Sequence, residues 1–516
     1  MSVFFEFSHP RLGPHFRMTT KLPKSWETAL AIMLLVAAWA CLYLPHLRTN
    51  PGWYGDETLT LMIGKSLYEG QGADRAMQAT FWHPSYAYQP GYAWAVGLAS
   101  VGTGGDILGG RLLNTLLAIS IGLVIYLIGK KNFGKYPALL SALIFLSYEQ
   151  SVVHFRWIYS HNAVALGFVI AVLFLIRKAS LRSDLATGLG LTIATLSHPL
   201  FIHGSVAAWL CRVKRPLSWL RMAIFPALAI SALTLWTWMR LTNKNWLAED
   251  FSSLGQFYAQ FSKDNGSGLQ SLKNFFFFYS QDFFHLGAFV CALICCWRRF
   301  RIIPVFLAVV SGLLLQNRQN LTVFYYQAVV FLPILALAYA GALKLLLVYL
   351  RAIAGRSSRV AMLVAFIIPA ILFGGSFPKS LSGNITPRNQ FWVTQNAAEV
   401  ETAAAWINSH VTPTDLVVCH QNIGWLLKCR TTDFMQATAW SGRPTFTFEV
   451  LPAKERFLFP ADITSAKYVV IGDIDQRWTF GQPNVGWILE KLENEKWPVK
   501  WRGDNYLIIK NPGILD

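Results

Sequence analysis

Between about residue 29 and residue 377 the chain alternates long apolar runs with short basic connections, a pattern that needs a lipid bilayer to bury it. The runs centre near 29–45, 111–129, 137–148, 162–176, 185–198, 199–212, 220–239, 283–297, 302–316, 322–349 and 360–377. A crossing helix needs about 20 mostly apolar residues, so about eleven spans are expected, several of them short. Segments 185–198 and 199–212 read either as two spans or as one helix bent at Pro199. Composition agrees: the chain is 54% hydrophobic and 14% charged, where a soluble domain carries about 25% charged residues.

A formal net charge of +18 would point to nucleic acid in a soluble protein. Here the cations fall between apolar runs, in clusters such as Lys130, Lys131 and Lys135, or Arg212, Lys214, Arg215 and Arg221. With the N-terminus in the cytoplasm, every second connection is basic, so the positive-inside rule explains the charge and no nucleic-acid partner is expected. All clusters share one phase. That favours an odd number of spans and places the hydrophilic tail outside. Arg11, Arg17, Lys21 and Lys24 precede the first run, and no small-residue cleavage site follows it, so the run reads as an uncleaved span.

The expected organisation is a transmembrane domain over 1–377, with a long first outer loop at 46–110, followed by a soluble outer domain over 378–516. The tail interleaves β-rich runs at 415–419, 468–471 and 506–509 with helical stretches at 396–408 and 485–494, which reads as a small α/β domain. Its Cys419 and Cys429 would face an oxidising space, where a disulfide is one reading and two free thiols the other.

The first outer loop carries the acidic pair Asp56-Glu57 and the stretch Phe81-Trp82-His83-Pro84-Ser85-Tyr86. Two adjacent acids cannot point the same way, so they divide into one reactive and one supporting carboxylate. Three arginines sit at outer helix ends or connections: Arg318, Arg156 and Arg111. Each reads as a headgroup-level cation or as a fork-shaped ligand for phosphate. Arg156 also reads as a partner for Glu149. His83, His198 and His203 are structural or cavity-lining histidines. No acid stands at metal-site spacing from them, so no metal or other cofactor is expected. Trp53, Tyr54, Tyr86, Tyr325 and other aromatics suit interfacial anchors or a sugar-stacking cavity.

The order Asp56-Glu57, Gly70, His83-Pro84, Tyr86, Gly91, Gly102 and Arg111-Leu112-Leu113-Asn114 resembles the first part of the bacterial family 39 / 83-like glycosyltransferases. These are GT-C fold enzymes related to protein O-mannosyltransferases and to lipid A aminoarabinose and core-sugar transferases. Ile125 to Ile128, Lys130-Lys131, Phe133-Gly134, Pro137 to Leu140 and Leu332-Pro333 continue the likeness, which is clearest over about 50–180. The resemblance implies a GT-C-type all-α membrane bundle in the bacterial inner membrane, with an extracytoplasmic cavity. It implies a polyprenyl-monophosphate sugar donor and inversion at the sugar. The acid of the first outer loop, here Asp56, would be the base, and outer cations would hold the phosphate. The acceptor would be a lipid, a protein or a glycan. The chain departs from the pattern at Arg156 to Asn162, which holds no acid, so a second carboxylate would have to come from Glu149.

Such transfer needs a base beside the acceptor hydroxyl and cations beside a phosphate that is already a competent leaving group. Asp56 fits the base and Glu57 the supporting role. Two other classes stay open: a transporter or flippase of a lipid-linked sugar, against which the lack of an internal repeat counts, and a non-catalytic envelope assembly protein. Substitution of Asp56 separates them.

Overall fold

The structure is a computed structural model that describes residues 24–68, 90–240, 268–315, 329–387 and 394–514, apart from 199, 297, 355–357, 446 and 449. The apolar runs form helices. They are α1 (Lys24–Tyr43), α2 (Gly55–Tyr68), α3 (Pro90–Val101), α4 (Ile107–Phe133), α5 (Lys135–Ser147), α6 (Glu149–His154), α7 (Ser160–Leu175) and α8 (Leu181–Ser197). They continue as α9 (Phe201–Cys211), α10 (Pro216–Arg240), α11 (Gly268–Ser280), α12 (Phe283–Cys295), α13 (Ile302–Leu315), α14 (Leu332–Ala354) and α15 (Ser358–Leu381). Local chemistry sets several ends. Asp106 caps α4 by accepting from Leu108 N at 2.8 Å, Ser180 and Ser183 form a capping box on α8, and Asp282 caps α12.

Among the described residues, four helices are long and apolar enough to cross a membrane, or five if α11 and α12, bent by 109°, form one span. Most of the other apolar runs form helices of 10–17 residues, shorter than the hydrocarbon thickness. The last helix continues to Leu381 through Pro378, past the expected boundary at 377. Helices α8 and α9 are two antiparallel helices and not one bent helix. His198 at the end of α8 meets His161 at the start of α7, with ring centroids 4.4 Å apart, while Arg212 after α9 donates to Leu175 O at the far end of α7.

The segment after α1 contributes α2 and α3, which touch backbone to backbone. A Cβ on Gly64 would stand 2.3 Å from Ala93 O and one on Gly97 would stand 2.1 Å from Gly64 O, so only glycine fits the crossing.

The tail holds a five-stranded sheet in the order β4-β3-β5-β7-β6: β4 (Arg430–Thr432), β3 (Leu416–Val418), β5 (Ala466–Gly472), β7 (Tyr506–Lys510) and β6 (Val499–Arg502). Strand β3 runs parallel to β4 and β5, and β7 is antiparallel to β5 and β6. Side chains alternate between two cores, as a period of two requires. Leu416, Val418, Val469, Ile471 and Ile509 face the tail's own core. Val417, Tyr468, Val470 and Ile508 face a second core that also contains Trp53, Leu61, Tyr92 and Val96 from the segment between α1 and α4. Burial on both faces accounts for the continuous apolar character of these strands. A two-residue strand β1 (Trp53–Tyr54) pairs antiparallel with β2 (Thr394–Gln395), joining loop and tail directly. Cys419 and Cys429 are both free thiols, so of the two readings the unpaired one is found.

Candidate active site

The acidic pair lies on the first turn of α2, immediately after β1. The two carboxylates point apart. Glu57 turns inward and is fully buried with Arg111, on the first turns of α4. Arg111 donates from Nε to Glu57 Oε1 at 2.7 Å and from Nη2 to Oε2 at 2.8 Å. Ile158 N and Tyr54 N donate to the same carboxylate at 3.1 and 3.3 Å. The guanidinium also donates to the carbonyls of Leu47 (2.9 Å) and Pro51 (3.0 Å). Both charges are therefore taken out of water with every strong direction satisfied, the condition under which a buried pair is tolerated.

Asn114, one turn beyond Arg111, adds a second post. Its Oδ1 accepts from Tyr92 Oη at 2.8 Å and from Asn162 Nδ2 at 2.9 Å. The segment Arg111-Leu112-Leu113-Asn114 is thus a bracket that holds α3, α7 and the Asp56 turn together.

Asp56 is partly exposed, and Tyr54 Oη donates to its Oδ2 at 2.9 Å. The Tyr54 ring rests against Trp157 at 5.5 Å and Tyr159 at 6.0 Å. Tyr159 stacks on His161 at 4.4 Å, and His161 meets His198. An aromatic wall therefore runs from the carboxylate along the start of α7 to the end of α8. An acid on a helix's first turn, aligned by a phenol and flanked by rings, can orient and deprotonate a hydroxyl while the rings hold an apolar or sugar face.

Arg156 is buried against the same floor and donates to Leu42 O at 2.7 Å and to Asn50 O at 3.2 Å. Glu149 pairs with Lys379 at 2.8 Å and not with Arg156. His203 lies on α9, one turn beyond the α8–α9 junction. His83, Tyr86, Arg318 and Tyr325 lie outside the described residues. Among the described residues no three His, Cys, Asp or Glu side chains converge to hold a metal.

The structure adds residues that the sequence left unmarked. Tyr159 and His161 sit in a stretch singled out for lacking an acid, and only the fold shows Tyr159 against Tyr54 and His161 stacked on Tyr159. Asp282, at the break between α11 and α12, accepts from Tyr148 Oη at 2.6 Å and from His285 N at 2.8 Å. Its signal was an isolated acid between apolar runs. From the tail, α16 (Gln421–Gly424) covers the turn: a Cβ on Gly55 would stand 2.8 Å from His420 Cε1 and 3.2 Å from Asn422 Oδ1. Asn422 is fully buried, and its side-chain amide has no hydrogen-bond partner among the described residues.

No family model and no curated protein sequence matches the chain. Solved structures do. ArnT from Cupriavidus metallidurans bound to undecaprenyl phosphate is similar over 95% of this chain and 99% of its own, with a TM-score of 0.62 at 14% identity. The archaeal oligosaccharyltransferase AglB from Archaeoglobus fulgidus, in complex with an inhibitory peptide and a dolichol-phosphate, is similar over 89% of this chain and 70% of its own, with a TM-score of 0.52 at 12% identity. The chain has the GT-C fold.

Proposed function

We propose that this chain is a membrane glycosyltransferase that moves a sugar from a polyprenyl-phosphate donor to a lipid, protein or glycan acceptor on the extracytoplasmic side. The observation that carries the reading is the division of labour at Asp56-Glu57: Glu57 is neutralised by Arg111 and saturated with donors, while Asp56 stays partly open and is aligned by Tyr54. Two neighbours of the same fold carry undecaprenyl phosphate and a dolichol-phosphate, which supports a lipid-phosphate donor here.

Asp56 is the general base. It takes the proton of the acceptor hydroxyl as that oxygen attacks the anomeric carbon, and the bond to the carrier phosphate breaks on the opposite face, inverting the centre. The polyprenyl phosphate leaves with the bonding electrons. Because Arg111 and Arg156 are engaged with Glu57 and backbone carbonyls, we assign them to holding the floor and leave the donor phosphate to Arg318. Glu149, His83, His198, His203, Tyr86 and Tyr325 are assigned to the cavity wall. The orientation follows the positive-inside pattern, with the tail outside and the bacterial inner membrane as the site of action.

Mass spectrometry of carrier lipids in the native host tests this. With Asp56→Asn at equal expression, a polyprenyl-monophosphate sugar accumulates, and its mass identifies the sugar. Unchanged carrier lipids, with the chain's phenotype retained in the variant, would leave the transporter and assembly readings standing instead.

A further inference from the structure

A second polar feature lies at the other end of the same helices. A cavity of about 670 Å³ is lined by Lys131, Arg177, Lys178, Arg212 and Arg301, with no carboxylate in its wall among the described residues. A neighbouring cavity of about 570 Å³ shares Lys178, Arg212 and Arg301 and adds Lys214 and Arg215. Helix α4 fixes the distance from the acidic pair. Arg111 near its start grips Glu57 and Lys131 near its end lines the cavity, so twenty residues of helix, roughly 30 Å, separate them. That is about the thickness of a bilayer's hydrocarbon core, so the two features belong to opposite membrane surfaces.

The cavity is built and not merely decorated with charge. Arg212 is buried, and its Nη2 donates to Leu175 O at 3.0 Å and to Arg177 O at 2.9 Å. One carboxylate, Asp184, lies behind it, 3.8 Å from both Arg212 Nε and an Nη of Arg221. Lys131, Lys178 and Arg301 line the rest of the cavity at exposed positions, and an anion bound among them would offset their mutual repulsion. The second cavity is also lined by exposed apolar side chains, Leu210, Val213 and Val305. Cations beside exposed apolar surface at a bilayer boundary match an amphiphile with an anionic head.

We propose that this double cavity is a binding site for the phosphate headgroup of an acidic membrane lipid, at the surface opposite Asp56. The full-length protein, purified in detergent and depleted of lipid, is titrated with phosphatidylglycerol or phosphatidylcholine and read by native mass spectrometry. Phosphatidylglycerol is retained in preference to phosphatidylcholine. Lys178→Gln/Arg301→Gln weakens that retention about thirtyfold, the effect of two cations beside an anionic head. Lys214→Gln/Arg215→Gln, at exposed positions of the second cavity, weakens it similarly and gives the answer if the first variant does not fold. Equal retention of the two lipids, or unaltered retention in a folded variant, overturns the site. Displacement of the lipid by inorganic phosphate at equal concentration overturns the lipid assignment in favour of a soluble phosphate.

Discussion

Arg111 meets the Glu57 carboxylate edge to edge, with two hydrogen bonds of 2.7 and 2.8 Å between side chains that are both fully buried. The pair fixes which of two adjacent acids faces the open site. Removing one partner leaves an uncompensated charge in a dry place. Glu57→Gln and Arg111→Gln are each expected to cost about 3–5 kcal/mol, and Arg111→Lys, which keeps the charge but lacks the planar fork, recovers only part of that loss. Thermal unfolding of the purified protein measures this; an unchanged midpoint in either glutamine variant contradicts it.

Asp56→Asn keeps the shape of the turn and removes the proposed base. Transfer is expected to fall at least about a hundredfold, with thermal stability close to that of the wild type. The check is the rate of loss of a polyprenyl-phosphate sugar in membranes containing equal amounts of each protein. Retention of more than a tenth of the rate rules Asp56 out as base.

In the proposed mechanism Tyr54 acts through Asp56, by the 2.9 Å bond from its hydroxyl. Tyr54→Phe keeps the ring against Trp157 and Tyr159. It is expected to lower turnover by up to about tenfold, the worth of one hydrogen bond, and to shift the pH–rate profile. A structural role alone would leave that profile in place.

Two carboxyls buried in the tail respond to pH. Burial pushes Asp475 up to about 7 and Asp433 up to about 6, whereas both ionise near 4 when unfolded. The folded chain thus holds protons that the unfolded chain has released. The stability these groups contribute is complete below about pH 4 and is lost as the pH rises through about 7. His420, pushed down to about 4 by burial, acts with the opposite sign below about pH 6.5. Asp475→Asn removes only the first contribution, so the variant gains on the wild type between pH 5 and pH 8. Parallel melting midpoints across that range would refute the account.

Much of the fold was legible because its signals are local. Apolar runs mark the helices, and the short apolar stretches at 415–419, 468–471 and 506–509 mark β3, β5 and β7. Strands β4 and β6 escaped notice because Arg430–Thr432 and Val499–Arg502 are half polar. The site was legible only in part. Asp56 and Glu57 are adjacent in the chain, but Arg111 stands 54 residues from Glu57 and takes its role from a fold that local pattern does not encode. For the same reason Arg156, read from sequence as a phosphate ligand or a partner of Glu149, is found bonded to the backbone of residues 42 and 50. His161 acquires meaning only when α8 brings His198 against it.

The two-strand ribbon of β1 and β2 divides its hydrogen bonds between segments some 340 residues apart: Trp53 pairs with Gln395 and Tyr54 with Thr394. During synthesis the first of these is made long before the second. The turn that presents Asp56 therefore waits, its edge unpaired and Trp53 uncovered, until the final quarter of the chain has been made and has folded over it. On the proposed function, competence for transfer belongs to molecules whose tail has folded, and a chain truncated after α15 would lack the β1–β2 pairing beside Asp56.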